Sequence, residues 1–308
     1  MRTRSEALSR SVRIEGIGEV AARFLAARRS ARVAAVFKGC LYLEADGDFM
    51  CLGSGIGNGP LNAVVDIAAG RSWTSLVTPG QLVDIVDATI QAPAIAAVAR
   101  AARRWQPQPW PQAASAETLQ RALTRAEAIA ARAAPTDGLF RLALHRALPK
   151  EDGEALARIA CPRIARLDTW LNSCLGAAEQ MPAPPVDLLG LGPGLTPSGD
   201  DLLCGVLIAF DALGARQAAA QLSAAIRAAA PRATTPLSAA FLAAAADGMG
   251  SEALHTFIAA LIAGQAAALP AAMADLGGIG HTSGWDAMAG AVAVLRAAAE
   301  ALPTRQSP

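Results

Sequence analysis

Aromatic side chains are scarce in this chain of 308 residues, at 4% of the total with a single tyrosine. A core of that composition must be filled by aliphatic and small side chains, and the abundance of alanine points to closely packed helices. Charge is thin as well, 17% against 53% apolar, which excludes an intrinsically disordered chain. Basic and acidic residues nearly cancel to a net +1, so broad electrostatic capture of nucleic acid or of an anionic membrane is excluded as a mode of action. The five cysteines, Cys40, Cys51, Cys161, Cys174 and Cys204, stand singly without a CxxC pair, which fits reduced thiols in the cytosol rather than a disulfide frame or zinc site. Apolar runs are cut by Asp211 in one place and by His255, Gln265 and Pro270 in another, so no membrane span is expected. Met1-Arg-Thr-Arg is followed by polar sequence rather than the apolar run of an export signal. These absences leave a cytoplasmic globular protein whose partner is a small molecule or another protein.

The chain is long enough for one large domain or two ordinary ones. A short helix is expected over Gly18–Arg28, then β-like runs at 32–37, 39–44 and 49–52, with Asp46-Gly47-Asp48 as a hairpin turn. A glycine-rich loop, Gly53-Ser-Gly-Ile-Gly-Asn-Gly-Pro60, lacks the Gly-Lys-Ser/Thr ending of a nucleotide loop and reads better as a conformational loop than as a ligand site. A turn of helix is expected after it at 61–67, strands at 75–77 and 81–85, and a helix over 93–104. Trp105-Gln-Pro-Gln-Pro-Trp-Pro-Gln112 can continue neither a helix nor a ladder and reads as a junction. From Ser115 onward apolar residues recur at helical spacing: helices are expected over 117–134, 139–148, 152–160, 163–180, 216–229, 236–246, 252–268, 270–276 and 284–302, with Pro162 separating the third from the fourth. The expected fold is α+β, a small mostly β domain over 1–104, a proline-rich junction over 105–114 and a mainly α-helical domain over 115–308.

The densest stretch is Leu189-Gly-Leu-Gly-Pro-Gly-Leu-Thr-Pro-Ser-Gly-Asp-Asp-Leu-Leu-Cys-Gly-Val206, a glycine-rich turn running into an apolar helix that stops at Gly214. Thr196 or Ser198 can cap that helix, and Ser198-x-x-Asp201 has capping-box spacing. A helix N-terminus with approachable N–H groups favours an anion, while ordinary capping explains the same residues equally well. The pattern returns at Ser283-Gly-Trp-Asp-Ala-Met-Ala-Gly290, so that both copies read S-G-x-D-x-[LM]-x-G. Gly205 and Gly290 fall seven residues in, where glycine costs about 1 kcal/mol against alanine, a cost that marks close backbone approach. Two helices crossing at those glycines, with both N-termini toward one pocket, are therefore expected.

Gly190–Gly205, Ser238-Ala-Ala-Phe-Leu242, Ser251-Glu-Ala-Leu254 and Thr282–Gly290 together resemble the AllH-like family, and the likeness takes in the strands over 33–52. The resemblance implies a subunit of oxamate carbamoyltransferase, acting in bacterial allantoin catabolism and purine degradation beside two larger partner subunits. The implied reaction moves a carbamoyl group between oxalurate and phosphate, giving oxamate and carbamoyl phosphate. Both substrates are anions, which suits glycine turns and helix N-termini.

The candidate substrate-binding residues are Gly192, Gly194, Thr196, Ser198, Gly199, Asp200, Asp201, Arg232, His281, Thr282, Ser283 and Asp286, with no cofactor and no metal expected. His281 could carry a proton, and Arg232, just before a helix start capped by Thr235 with Pro236 at its first position, could reach an anion. His255 reads as a partly buried helix residue and His145 as exposed, and no Ser/His/Asp triad emerges. Two alternatives stand beside the transferase reading: a non-catalytic assembly or regulatory subunit, and a metal-dependent hydrolase using Asp200, Asp201 and Asp286.

Overall fold

The computed structural model describes residues 10–65, 72–145, 155–176 and 181–301. The fold is α+β, and the chain divides into two compact units, 1–107 and 108–308.

Among the described residues the first unit is a closed β-barrel with one helix. Its strands are β1 (Arg10–Gly18), β2 (Ser30–Val36), β3 (Cys40–Ala45), β4 (Asp48–Gly53), β5 (Asn62–Val65), β6 (Leu82–Val86), β7 (Thr89–Ala92), β8 (Ile95–Val98) and β9 (Arg103–Trp105), with α1 (Glu19–Ala27) after the first. The order β5-β4-β3-β2-β6-β7-β8-β1-β9 closes because β1 also pairs with β5. One edge of β1 takes β8 at residues 10–13 and β9 at 16–18, both parallel, while the other takes β5 antiparallel. Ile14, Leu41, Leu43, Met50, Leu52 and Ile85 alternate inward to fill the barrel, with Phe24 and Leu25 of α1 among the same core. Asp46 and Gly47, at φ 52° and 84°, make the β3–β4 hairpin turn.

Three expectations fail in this unit. The predicted helix turn after Pro60 is β5, in which buried Ala63 and Val65 alternate with less buried neighbours; residues 66 and 67 lie outside the described residues. The predicted strand at 75–77 is replaced by a 3-10 turn over Trp73–Ser75, where Ser72 Oγ accepts from Thr74 N–H. The predicted helix over 93–104 is two strands: Ile95 and Ala97 face inward with period two, and alanine's helical preference yields to pairing with β1. The Gly53–Pro60 loop packs its backbone against the start of α1, since a Cβ on Gly18 would sit 2.0 Å from the carbonyl oxygen of Gly59.

The second unit is helical: α2 (Ala116–Ala133), α3 (Phe140–His145), α4 (Ala155–Leu175), α5 (Ser198–Leu213), α6 (Arg216–Ala233), α7 (Pro236–Ala246), α8 (Glu252–Ile262), α9 (Leu269–Gly277) and α10 (Ser283–Ala301). Residues 146–148, 152–154 and 177–180 of the predicted helices, and residue 302, lie outside the described residues. Pro162 does not divide α4. A proline removes one helical hydrogen bond, and here the surrounding apolar face of Ala160, Ile164, Leu167, Trp170 and Leu171 is buried in the common core. Likewise α6 runs past the predicted end at 229, with Pro231 inside it. The helix starts at Ser115 and Thr235 are capped by their own hydroxyls, and Gly214 ends α5 at φ 65°.

At the centre lie α5 and α10, each buried along most of its length. They cross at their glycines. A Cβ on Gly205 would meet the Ala287 carbonyl oxygen at 1.8 Å, and one on Gly290 would meet that of Leu202 at 1.9 Å. The two contacts are related by the same shift along the chain that relates Ser198 to Ser283, so the crossing is locally pseudo-symmetric.

Candidate functional site

The turn before α5 is built on glycines whose surroundings differ. Gly190, at φ 69°, has no room for a side chain, because a Cβ would lie 1.9 Å from the Ala233 carbonyl oxygen. Gly194, at φ 99°, faces open space, and Leu195 beside it is exposed. Among the described residues, nothing accepts a hydrogen bond from the N–H groups of Gly192, Gly194, Leu195 or Thr196. This outer face of the turn therefore offers donors to solvent or to an anion.

The predicted capping of α5 by Thr196 or Ser198 does not occur. Pro197 occupies the cap position without a side-chain bond, which places Ser198 at the first helical position and Asp201 at the fourth. The hydroxyls reach across to the other helix start instead. Thr196 Oγ1 lies 3.1 Å from Ser283 Oγ, and Ser198 Oγ lies 3.5 Å from Thr282 Oγ1. The two helix N-termini thus share one crevice, which brings together Thr196, Ser198, Asp201, Thr282, Ser283 and Asp286.

The remaining candidates sit elsewhere. Asp200, buried, is an internal brace: its Oδ1 accepts from Gly190 N–H at 2.8 Å, and its Oδ2 accepts from Ser238 Oγ at 2.7 Å and from Thr234 Oγ1. Gly199 is a packing residue, since a Cβ there would lie 2.0 Å from the Leu188 carbonyl oxygen. Arg232 is exposed in the last turn of α6. His281 is also exposed, with Nε2 3.0 Å from Asp137 Oδ2, and that contact holds the Asp137 carboxyl below its ordinary value. His255 is buried in α8, accepts from Gly250 N–H through Nε2 at 3.1 Å and stacks on Trp110; burial pushes it down to about 4, so it is neutral. The side chain of His145 lies outside the described residues.

The carboxyls in the crevice are held at unusual proton affinities. Asp286 is fully buried and pushed up to about 6, burial being opposed by hydrogen bonds from the Leu139 backbone, the Ser198 and Thr282 hydroxyls and the Phe140 backbone. Its Oδ1 accepts from Leu139 N–H at 2.6 Å, which anchors the start of α3. Asp201 is raised well above the usual carboxylate range, first by burial; the Ser283 hydroxyl opposes this, the charges of Asp286 and Asp200 add to it, and the Thr196 hydroxyl opposes it again. Oδ2 of each carboxyl is enclosed and takes no donor at hydrogen-bonding geometry. Chemically the site has two faces: an outer turn rich in N–H donors and an inner crevice rich in oxygen acceptors.

The sequence reasoning missed Asp137, Gly138 and Leu139, which close the crevice from the α3 side. A Cβ on Gly138, itself at φ 80°, would meet Asp286 Oδ1 at 2.8 Å. Asp-Gly is a turn signal, but nothing in the spacing links residues so far from α10. Clefts on the α6–α7 face, lined by Ser223, Ile226, Arg227 and Leu242 among others, include none of the motif residues.

Residues 188–295 match the family model described as oxamate carbamoyltransferase subunit AllH. Over that segment the chain is AllH-like. The AllH-like segment contains both helix starts and the glycine crossing; the matched residues do not include the barrel strands over 33–52. Comparison with curated proteins and with solved structures gives no match. Among the described residues, no helix is long and apolar enough to cross a membrane.

Proposed function

We propose that the chain is a subunit of an oxamate carbamoyltransferase, acting with larger partner subunits in the cytoplasm on oxalurate and phosphate. In that reaction a phosphate oxygen attacks the carbamoyl carbon, the bond from that carbon to the oxamate nitrogen breaks, and the departing nitrogen takes a proton. The observation that carries the reading is the outer turn Gly192–Thr196, with unengaged N–H groups at the N-terminus of α5, inside the AllH-like segment. Such donors bind phosphate or carboxylate oxygens and stabilise charge that develops on them. The repeated S-G-x-D start is one duplicated element in this reading, and it gives the turn a rigid support. His281, poised by Asp137 beside the second helix start, is the proton carrier, and Arg232 adds positive charge.

A second reading, an assembly or regulatory subunit without chemistry of its own, is favoured by one observation. Asp200 and Asp286 spend their hydrogen bonds on the protein's own backbone and hydroxyls. The two readings part in an assay of carbamoyl phosphate formation from oxalurate and phosphate, run with the chain alone and then with its partner subunits. Ser198→Ala with Ser283→Ala lowers turnover of the assembled enzyme if the crevice supports the reacting groups; unchanged turnover leaves the assembly role.

A further inference from the structure

Two clefts run together along the face where α6 lies against α7, sharing Ser223, Arg227 and Ala246. The inner one has a volume of about 150 Å³, the size at which an engineered apolar cavity admits a molecule of benzene. Ile226, Ala230, Pro231, Ala239 and Leu242 wall it with carbon. Oxalurate and phosphate are polar throughout and do not match such walls.

Ser223 sets this cleft apart from an ordinary gap between helices. The residue is 4% exposed, and its Oγ is enclosed without a hydrogen-bond partner. A serine inside a helix often turns its hydroxyl to the carbonyl four residues back, here that of Ala219, and Ser223 does not. A buried hydroxyl left unpaired is destabilising until a partner arrives. The charged residues that line the clefts are both arginines, Arg216 and Arg227. With Ser223 between them they are spaced seven and four residues apart, which puts all three on one side of α6. Both arginines are exposed and, among the described residues, take part in no ion pair or side-chain hydrogen bond.

We propose that the α6–α7 cleft binds a small monocarboxylate whose apolar body is about the size of one benzene ring. The body lies against Ile226, Pro231 and Leu242, while the Ser223 hydroxyl and the Arg227 guanidinium donate to the carboxylate. Arg216 adds positive charge at the outer end. Apolar contact supplies the affinity, and the two donors select acids over neutral molecules of the same shape. The site shares no residue with the helix-start crevice or the outer turn, so it does not rest on the transferase reading.

Sodium benzoate is the probe, added to the full chain up to about 20 mM at constant ionic strength and followed by amide NMR. Saturable shifts confined to α6 and α7 are expected, with a Kd on the order of 10⁻³ M for so small a ligand. Benzyl alcohol, with the same ring and no charge, binds about tenfold more weakly. Arg227→Gln, at an exposed position, brings benzoate down to that level and leaves benzyl alcohol unchanged. Ser223→Ala weakens benzoate severalfold without lowering Tm, because its hydroxyl has no bond to lose. Ala239→Leu fills the cleft and abolishes binding of both; if it does not fold, Ala243→Leu at the exposed rim takes its place. Benzoate without saturable shifts in these helices overturns the proposal, as does equal binding of benzyl alcohol, or of benzoate to Arg227→Gln. So does benzoate binding that weakens as protein concentration rises, which would put a second copy of the chain in the cleft, or that vanishes when partner subunits are added, which would put a neighbouring subunit there. No carbamoyl transfer is measured, so failure here is distinct from failure of the transferase reading.

Discussion

The starts of α5 and α10 share a motif and differ at its variable position. In the first, Asp200 ties the glycine turn to the α6–α7 junction through Gly190, Thr234 and Ser238. In the second, Trp285 fills the same place, packs edge-on against Phe140 at 5.1 Å between ring centroids and covers Gly277. The shared residues have shared jobs: Gly205 and Gly290 make the crossing, Ser198 and Ser283 reach across it, and Asp201 and Asp286 lie inside it. What is common to the copies builds the crevice, and what differs fastens each copy to its own surroundings. One start fastens through a charge and hydrogen bonds, the other through aromatic packing.

Breaking the common part has the largest effect. Gly205→Val would place side-chain atoms where the Ala287 carbonyl oxygen now lies, and backbone cannot yield as a side chain can. A loss on the order of 4 kcal/mol, or no folded protein at all, is expected from urea denaturation. Gly290→Val should match it if the crossing is symmetric, and a mild effect at either glycine would break the equivalence.

Asp200→Ala comes next, because it strands three donors in the first copy only. A cost of about 3 kcal/mol is expected. Trp285→Ala is the matching change in the second copy, and its loss should be a packing loss of about 3–5 kcal/mol that salt does not alter.

How much of this the sequence disclosed follows from the range of the forces involved. The glycine crossing was readable because a mid-helix glycine pays a local cost that asks for a reason, and two of them stood at the same offset from the same motif. The helix start at Thr235 was readable because a capping hydroxyl followed by proline is likewise a local signal. The cap at Ser198 misled, since a serine three residues before an aspartate looks alike whether its hydroxyl turns to its own helix or to Thr282. Ile95 and Ala97 misled because an alanine-rich run carries helical preference, while closure of the barrel through β1 is a long-range demand. Asp137 and Leu139 lie far from α10 in sequence, and only folding brings them to His281 and Asp286.

A pH series sharpens the contrast between the buried acids. Asp286 stands at about 6 in the folded chain against an ordinary 3.8. The folded state thus holds its proton more tightly than the unfolded state does. The contribution is full below about pH 4 and is lost as pH rises through about 6, a swing on the order of 2–3 kcal/mol. Asp286→Asn should flatten that part of the profile, and an unchanged slope would contradict the assignment.

Smaller effects come from the outer turn. Gly194→Ala meets no neighbour and suffers only its φ of 99°, so about 1–2 kcal/mol is expected; Gly190→Ala should cost more, because it also meets the Ala233 carbonyl oxygen. His281→Ala removes an exposed contact and should leave Tm unchanged while slowing turnover of the assembled enzyme.

The most direct test of the central claim is carbamoyl phosphate formation by the chain assembled with its partner subunits, comparing wild type with Thr196→Val/Ser283→Ala. The account predicts product from the wild-type assembly and a loss of about tenfold or more in the variant, at a Tm within a few degrees of wild type. Full turnover in a folded, assembled variant would contradict it.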